Sequence, residues 1–231
     1  MNQESAPHAS DTSAILVCAG NASRMEGLNK ILMPLGASNV IGYSMLAFEH
    51  CPDIAEIIVV TKPDYFSAVR ETAENLHITK LTHMTEGGDT RQQSVIKGLR
   101  LTNPAYPHIA IHDGARPLVK PEHISAVIHD ARVFGGATLG VPVKDTIKVV
   151  EDGLIVDTPY RPKLYITQTP QVFRRQLYFE AVDFAMEHGL DFTDDCQLVE
   201  SIGWKIYMTV GDYSNIKITT PEDRQIAQVL L

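Results

Sequence analysis

Residues 14–19, Ala14-Ile15-Leu16-Val17-Cys18-Ala19, run directly into Gly20-Asn21-Ala22-Ser23-Arg24-Met25-Glu26-Gly27-Leu28-Asn29-Lys30. A continuous apolar run closed by glycine reads as a strand buried on both faces, the pattern of a central strand in a parallel sheet. The segment that follows it is a loop of small residues carrying two cations. Further along the chain, residues 40–51 set Ile41, Met45, Leu46 and Phe48 at helical spacing, and Pro52 stops them. Residues 56–61 (EIIVVT) are rich in β-branched side chains and predict a second strand. A helix over 64–76, a short strand over 78–81 and a helix over 90–101, entered through Gly87 and Gly88, come next. A strand over 108–112 runs into the turn Asp113-Gly114-Ala115-Arg116-Pro117, and Pro121 opens a helix that reaches about residue 134. A further strand covers 137–142. This βαβα alternation predicts an α/β fold with a mostly parallel sheet and helices on both faces.

The rhythm breaks between residues 143 and 168. Apolar segments at 146–150 and 154–157 flank Glu151-Asp152-Gly153, and Asp-Gly between such segments signals a hairpin. A two-stranded ribbon with no helix to cover it is marginally stable alone, so this arm is expected to protrude and pack on a partner subunit. Helices are expected at 174–188 and 194–202, ended by Gly189 and Gly203, with a strand at 205–210. Thr220-Pro221-Glu222-Asp223 is a start signal for a last helix. There is no internal repeat or low-complexity linker. The expected organisation is a flexible tail over 1–13 and one domain over 14–231, with the arm at about 143–168.

Hydrophobic residues make up 44% of the 231 and charged residues 21%, which excludes an intrinsically disordered chain. A net charge of −8 argues against general nucleic-acid or anionic-membrane binding but leaves room for a local basic site. The run at 15–19 is far too short to span a bilayer, and residues 1–13 have neither a basic nor an apolar region of a signal peptide. Cys18, Cys51 and Cys196 are spaced for neither a disulfide framework nor a zinc site, so reduced thiols in a cytoplasmic protein are expected.

Several segments carry chemistry. The loop 20–30 leaves a carboxyl edge of the sheet, where open α/β sheets bind ligands. Its small residues admit phosphate oxygens to backbone N–H groups, and Arg24 and Lys30 add positive charge. It matches neither Gly-x-Gly-x-x-Gly nor Gly-x4-Gly-Lys-Ser/Thr. Gly87-Gly88-Asp89-Thr90-Arg91-Gln92-Gln93-Ser94 offers open backbone together with Asp89, Thr90 and Ser94 for a base or ribose; it also reads as an ordinary helix cap. Asp113, at the end of a buried strand, suits Mg2+, which takes oxygen ligands and bridges phosphates, and equally suits a turn cap. His108 and His112 read as structural. Lys144 and Thr146, Arg161, the run Thr169-Pro170-Gln171 and Lys217 add groups suited to phosphate or hydroxyls. Thr193-Asp194-Asp195 reads as a helix N-terminus.

In order, AGNASRMEGLNK, EGGDTRQQSV, IHDGARPLV, PVKDTIK, TQTPQVF, FTDDCQLVE and SNIKITTPEDRQIA span nearly the whole chain. This set resembles the 2-C-methyl-D-erythritol 4-phosphate cytidylyltransferase family of the non-mevalonate isoprenoid pathway. The resemblance implies a Rossmann-like nucleotidyltransferase domain with a mixed sheet and a β-arm that clasps a second subunit. It implies a reaction of CTP with methylerythritol phosphate, releasing pyrophosphate. Arg24 and Lys30 occupy positions that contact the CTP phosphates and the charged transition state, and Lys217 matches a lysine near the α-phosphate. Asp113 matches the Mg2+ ligand. Gly88, Asp89 and Ser94 match the cytosine-reading segment, with backbone around Cys18, Ala19 and Gly20, and Gly114 lies where the family contacts ribose. Thr146, Arg161 and Thr169 match positions that hold the sugar-alcohol phosphate, the first two reaching it from the neighbouring subunit. The chain departs at Cys18 and Ala22, where the family has alanine and glycine, and at Ser23, where it often has a basic residue. A ribitol 5-phosphate cytidylyltransferase and a non-catalytic nucleotide-binding protein on the same scaffold are the competing readings. No second enzyme of the pathway is expected in a chain that ends at Leu231.

Overall fold

The computed structural model describes residues 10–20 and 30–231. In chain order the strands and helices are β1 (Thr12–Val17), β2 (Pro34–Leu35), β3 (Ser38–Asn39), α1 (Val40–Glu49), β4 (Ile54–Thr61), α2 (Phe66–Asn75), β5 (Leu81–Glu86), α3 (Arg91–Leu99) and β6 (His108–Asp113). They continue as α4 (Pro121–Phe134), β7 (Gly136–Pro142), β8 (Val149–Glu151), β9 (Leu154–Asp157), β10 (Tyr165–Arg174), α5 (Arg175–Glu187), α6 (Asp195–Glu200), β11 (Tyr207–Val210) and α7 (Pro221–Leu230). Seven strands form one sheet in the order β11-β7-β10-β6-β1-β4-β5. β1 pairs in parallel with both β4 and β6, while β10 runs antiparallel between β6 and β7. The sheet is therefore mixed and mostly parallel, a Rossmann-like α/β fold.

β1 explains why the sheet is covered twice. Its alternating side chains divide between two cores: Ala14 and Leu16 join Met45, Phe48, Val127 and Ile128, and Ile15 joins Val95, Leu99, Tyr178 and Ala181. Helices α1 and α4 thus close one face, and α3 and α5 the other. β1 sits where the connections reverse direction, with β4 on one side and β6 on the other. Val17 and Asp113 end side by side in register, so the loops leaving them diverge around a crevice.

Four differences from the sequence reading have local causes. β1 begins at Thr12, inside the expected tail, because Thr12 and Ser13 are buried and Asp11 is tied down by Arg132 at 2.6 Å. The strand expected at 78–81 lies at β5 instead; Ile78 donates its N–H to Ala73 O and finishes α2, and the half-exposed edge strand starts at Leu81. The short β2–β3 hairpin carries too little pattern to be seen. The largest miss is β10, a buried interior strand whose middle, Gln168, Thr169 and Gln171, is polar. Its pairing with β7 slips between Thr167 and Gln171, and the cis-linked Pro170 sits in that break, where no ladder hydrogen bond is required.

The arm forms as the sequence indicated. β8 and β9 make a separate two-stranded sheet, and Asp152 and Gly153 both take positive φ (49° and 81°), as a two-residue hairpin turn requires. Leu154 and Ile155 are 72% and 62% exposed. Among the described residues no helix is long and apolar enough to cross a membrane.

Candidate active site

The crevice at the carboxyl ends of β1, β4, β5 and β6 holds a cavity of about 470 Å3. Residues far apart in sequence converge on it: Cys18, Ala19 and Gly20 after β1, Lys30, Gly88 and Asp89 before α3, Ser94 inside it, Asp113 at the end of β6, and Lys217. Close approach of backbones shapes the walls. A Cβ on Gly87 would run into the Cβ of Ala19, and one on Gly114 into Cys18 Sγ and, at 3.2 Å, Ile41. Gly114 itself lies behind the wall, donating its N–H to Val17 O at 3.0 Å, and the neighbouring Ala115 faces the cavity.

The β5–α3 turn is both a cap and an open cradle. Thr90 caps α3 by accepting from Gln93 N at 3.2 Å, and Ser94 Oγ accepts the Gly88 N–H at 3.0 Å while donating to Thr90 O. Gln93 Oε1 accepts the Asp89 N–H at 2.9 Å. The Asp89 side chain is exposed at the mouth of the cavity.

Asp113 is the electrostatic centre. Its Oδ2 meets Lys217 Nζ at 2.7 Å, its Oδ1 meets Arg91 Nε at 3.4 Å, and Arg116 Nε stands 3.9 Å from Oδ2. Burial pushes this carboxyl up, but Lys217 and Arg91 outweigh burial and hold it well below the usual carboxylate range. Lys30 makes no ion pair with a described residue; burial, then the charge of Lys217, lowers its ammonium. The Cys18 thiol is pushed up to about 12 by burial and by the Asp113 charge, so it is inert packing.

Three residues behind Asp113 fix its backbone. Thr169 Oγ1 accepts the Asp113 N–H at 3.0 Å and, because Arg116 O can only accept and so fixes the imidazole proton on Nε2, donates to the bare His112 Nδ1 at 2.9 Å. The imidazole then carries its proton on Nε2 and donates to Arg116 O at 3.2 Å. Burial lowers His112 to about 4, and the ring packs 4.9 Å from that of Phe48, the structural role expected. The polar slip in β10 is what delivers Thr169 here. Its hydroxyl is buried between the Asp113 N–H and His112 Nδ1.

Thr146 and Arg161 are exposed at the root of the arm and do not line the cavity. Arg161 Nη1 donates to Lys144 O at 2.9 Å, which brings it beside the Thr146 segment. Arg24 lies outside the described residues. The sequence reading missed Arg91, Lys62 and Glu86 in the lining, and Asp195, which holds Arg91 Nη1 at 2.6 Å. The signal for Arg91 was its place at the start of α3, directly after the Gly87-Gly88 turn. Asp194 does cap α6 as expected, accepting from Cys196 N at 3.3 Å.

The family model described as 2-C-methyl-D-erythritol 4-phosphate cytidylyltransferase matches residues 12–231. The chain belongs to this family. A 2-C-methyl-D-erythritol 4-phosphate cytidylyltransferase of Caldanaerobacter subterraneus is 44% identical over 224 residues, covering 96% of this chain and 99% of that one. The crystal structure of 4-diphosphocytidyl-2C-methyl-D-erythritol synthase from Anaerococcus prevotii superposes with a TM-score of 0.85 at 29% identity, covering 95% of each chain. A second, the 2-C-methyl-D-erythritol 4-phosphate cytidylyltransferase of Thermus thermophilus, gives 0.77 at 29% identity over 94% of this chain and 97% of that one. The mixed, mostly parallel sheet is thus that of the family, matched over residues 12–231.

Proposed function

We propose that the protein transfers a cytidylyl group from CTP to 2-C-methyl-D-erythritol 4-phosphate, giving 4-diphosphocytidyl-2-C-methyl-D-erythritol and pyrophosphate, in isoprenoid biosynthesis. The observation that carries this is the convergence of Lys30, Asp113 and Lys217 with the Gly88 cradle on one crevice, in a chain matched over residues 12–231 by this family. The acceptor's phosphate oxygen is already a nucleophile, so the reaction needs no general base. It attacks the α-phosphorus, a new P–O bond forms, and the bond to the β-phosphate oxygen breaks as pyrophosphate leaves. What the protein must supply is orientation of two anions and stabilisation of the charge that builds at phosphorus.

Lys30, together with Arg24 from the preceding loop, is assigned to the CTP phosphates and the transition state. Lys217 leaves its pair with Asp113 to meet the α-phosphate and the incoming phosphate. Gly88, Asp89 and Ser94, with backbone at Cys18, Ala19 and Gly20, are assigned to cytosine, and the turn at Gly114 to ribose. The donor set around Asp113 fits Mg2+ in one way. No cluster of three or more His, Cys, Asp or Glu side chains forms among the described residues, so a cage built by protein alone is not on offer. A single buried carboxylate beside a phosphate site is what a nucleotide-bound Mg2+ uses. Asp113 would hold the ion, and the chemistry it supplies is neutralisation and gathering of CTP phosphate oxygens.

Thr146 and Arg161 are assigned to the acceptor in the site of a partner copy, and the exposed apolar faces of β8 and β9 support a homodimer closed by the arms. Three buried, unpaired thiols support a reducing, cytoplasmic setting. The test is pyrophosphate release with CTP and Mg2+, comparing methylerythritol phosphate with ribitol 5-phosphate. A kcat/KM preference of ~10³ or more for the first, about 4 kcal/mol, is the expected result. Preference for ribitol 5-phosphate would overturn the acceptor, and release with neither would overturn catalysis.

A further inference from the structure

Arg91 opens α3 and lines the cavity, yet its short contact points away from the site. Nη1 lies 2.6 Å from Asp195 Oδ2, whereas Nε lies 3.4 Å from Asp113 Oδ1. Asp195 is locked in turn. Its other oxygen, Oδ1, accepts the hydroxyl of the fully buried Tyr178 at 2.7 Å, and its N–H donates to Gln171 Oε1 at 3.1 Å. Tyr178 stands on α5 and Gln171 on β10, so two elements fix Asp195, one at its carboxylate and one at its backbone N–H. We infer that Asp195 is a positioning residue that, with Tyr178, draws the Arg91 guanidinium back until one long hydrogen bond to Asp113 Oδ1 remains, a contact that the cation accompanying the nucleotide phosphates can displace.

Cations compete for the two oxygens of Asp113. Asp113 Oδ2 is already covered by Lys217 at 2.7 Å, with Arg116 Nε near the same oxygen at 3.9 Å. Were Arg91 also to close on Oδ1, both oxygens would be sealed by cations and an incoming divalent ion would have to displace two of them. Asp195 balances the Arg91 charge at shorter range, so the Oδ1 contact stays long. Without the Asp195 charge, Arg91 becomes a mostly buried cation whose remaining acidic neighbour is Asp113, and it closes on it. Partners one step behind a metal ligand commonly change metal affinity by about 10–100-fold.

This inference rests on the reading of Asp113 as the carboxylate of a CTP-Mg2+ site. The experiment is calorimetric titration of CTP into wild type, Asp195→Asn and Tyr178→Phe across a range of Mg2+ concentrations and in EDTA, with thermal melts in parallel. In Asp195→Asn the Mg2+ needed for half-maximal CTP affinity is expected to rise about 10-fold or more, with affinity in EDTA changed much less. Tyr178→Phe, which keeps the ring and removes only the hydroxyl, shifts the requirement in the same direction by a smaller factor. It carries the test alone if Asp195→Asn fails to fold. An unchanged Mg2+ requirement in the folded variants, even with a lowered melting temperature, would overturn the inference and leave Asp195 a purely structural ion-pair partner. Wild type that binds CTP with no dependence on Mg2+ would instead overturn the parent reading of the site.

Discussion

His112 makes the acid stability of this protein a direct probe of the backing behind Asp113. The ring is fully buried, its Nδ1 accepts from Thr169 and its Nε2 donates to Arg116 O, so the neutral tautomer satisfies both nitrogens. Burial lowers the group from 6.5 to about 4. The unfolded chain therefore takes up a proton near pH 6.5 that the folded chain refuses until about pH 4. Stability is complete above 6.5, declines as pH falls through that window, and stops declining once the folded form is protonated. At about 1.4 kcal/mol per unit the whole displacement is worth about 3 kcal/mol, of which about 2 kcal/mol is lost between about pH 7 and about pH 5. The carboxylates held low by hydrogen bonds and ion pairs, such as Asp113, Asp212 and Asp223, lose their contributions only nearer their ordinary values of 3.8, so they barely enter this window. His108, also lowered by burial, does enter it, and a difference measurement removes it. Urea unfolding at about pH 7 and about pH 5 for wild type and His112→Asn is the assay. Wild type should lose about 2 kcal/mol more than the variant across that step. Equal losses would refute the assignment of His112 as a neutral, buried hinge between Thr169 and Arg116.

Lys30→Ala and Arg24→Ala should each lower kcat by ~10²-fold or more while CTP binding falls less, and an unchanged kcat would remove that residue from the transition state. In Arg161→Ala the expected change is a raised KM for the sugar-alcohol phosphate with CTP affinity preserved; selective loss of CTP affinity would contradict its assignment. Gly114→Ala places a methyl group against Cys18 Sγ and Ile41, so a loss of about 1–3 kcal/mol in urea unfolding is expected, and wild-type stability would mean the two loops are looser than described. Ile155→Asp puts a charge on the exposed arm face; sedimentation should report monomers and turnover should collapse with them, whereas an intact dimer would move the interface elsewhere.

What the sequence made legible follows from hydrophobic pattern. The buried run at 14–19, the helix that starts at Pro121 and the Asp152-Gly153 turn all announce themselves locally, and each forms within a residue or two of its expected place. The chemistry-bearing residues before α3 and after β6 were legible for a related reason: glycines and charges at the ends of strands stand out against apolar neighbours. β10 was not legible because its buried middle is polar. Gln168, Thr169 and Gln171 are satisfied by Asp212 O, Asp113 N and Asp194 Oδ1, partners 23 to 56 positions away that only the fold brings together. Period-two alternation has nothing to report when each inward side chain is an amide or a hydroxyl.

The same fact explains why the sequence yields the residues that face the cavity more readily than those that stand behind it. Arg91 and Asp195 are 104 positions apart, and neither neighbourhood mentions the other. Yet the electrostatics of the site depend on the pair. Lys30, Lys217, Arg91 and Arg116 surround Asp113, a concentration of positive charge in a chain whose net charge is −8. A cavity with every one of those cations free would be a general polyanion trap. Binding Arg91 to Asp195 and Lys217 to Asp113 keeps that charge stored as ion pairs. Release of Lys217 then requires a ligand that brings its own anionic oxygens to this crevice. Under the proposed function, discrimination for a nucleotide phosphate chain is set by the partners of the cations as much as by the cations themselves.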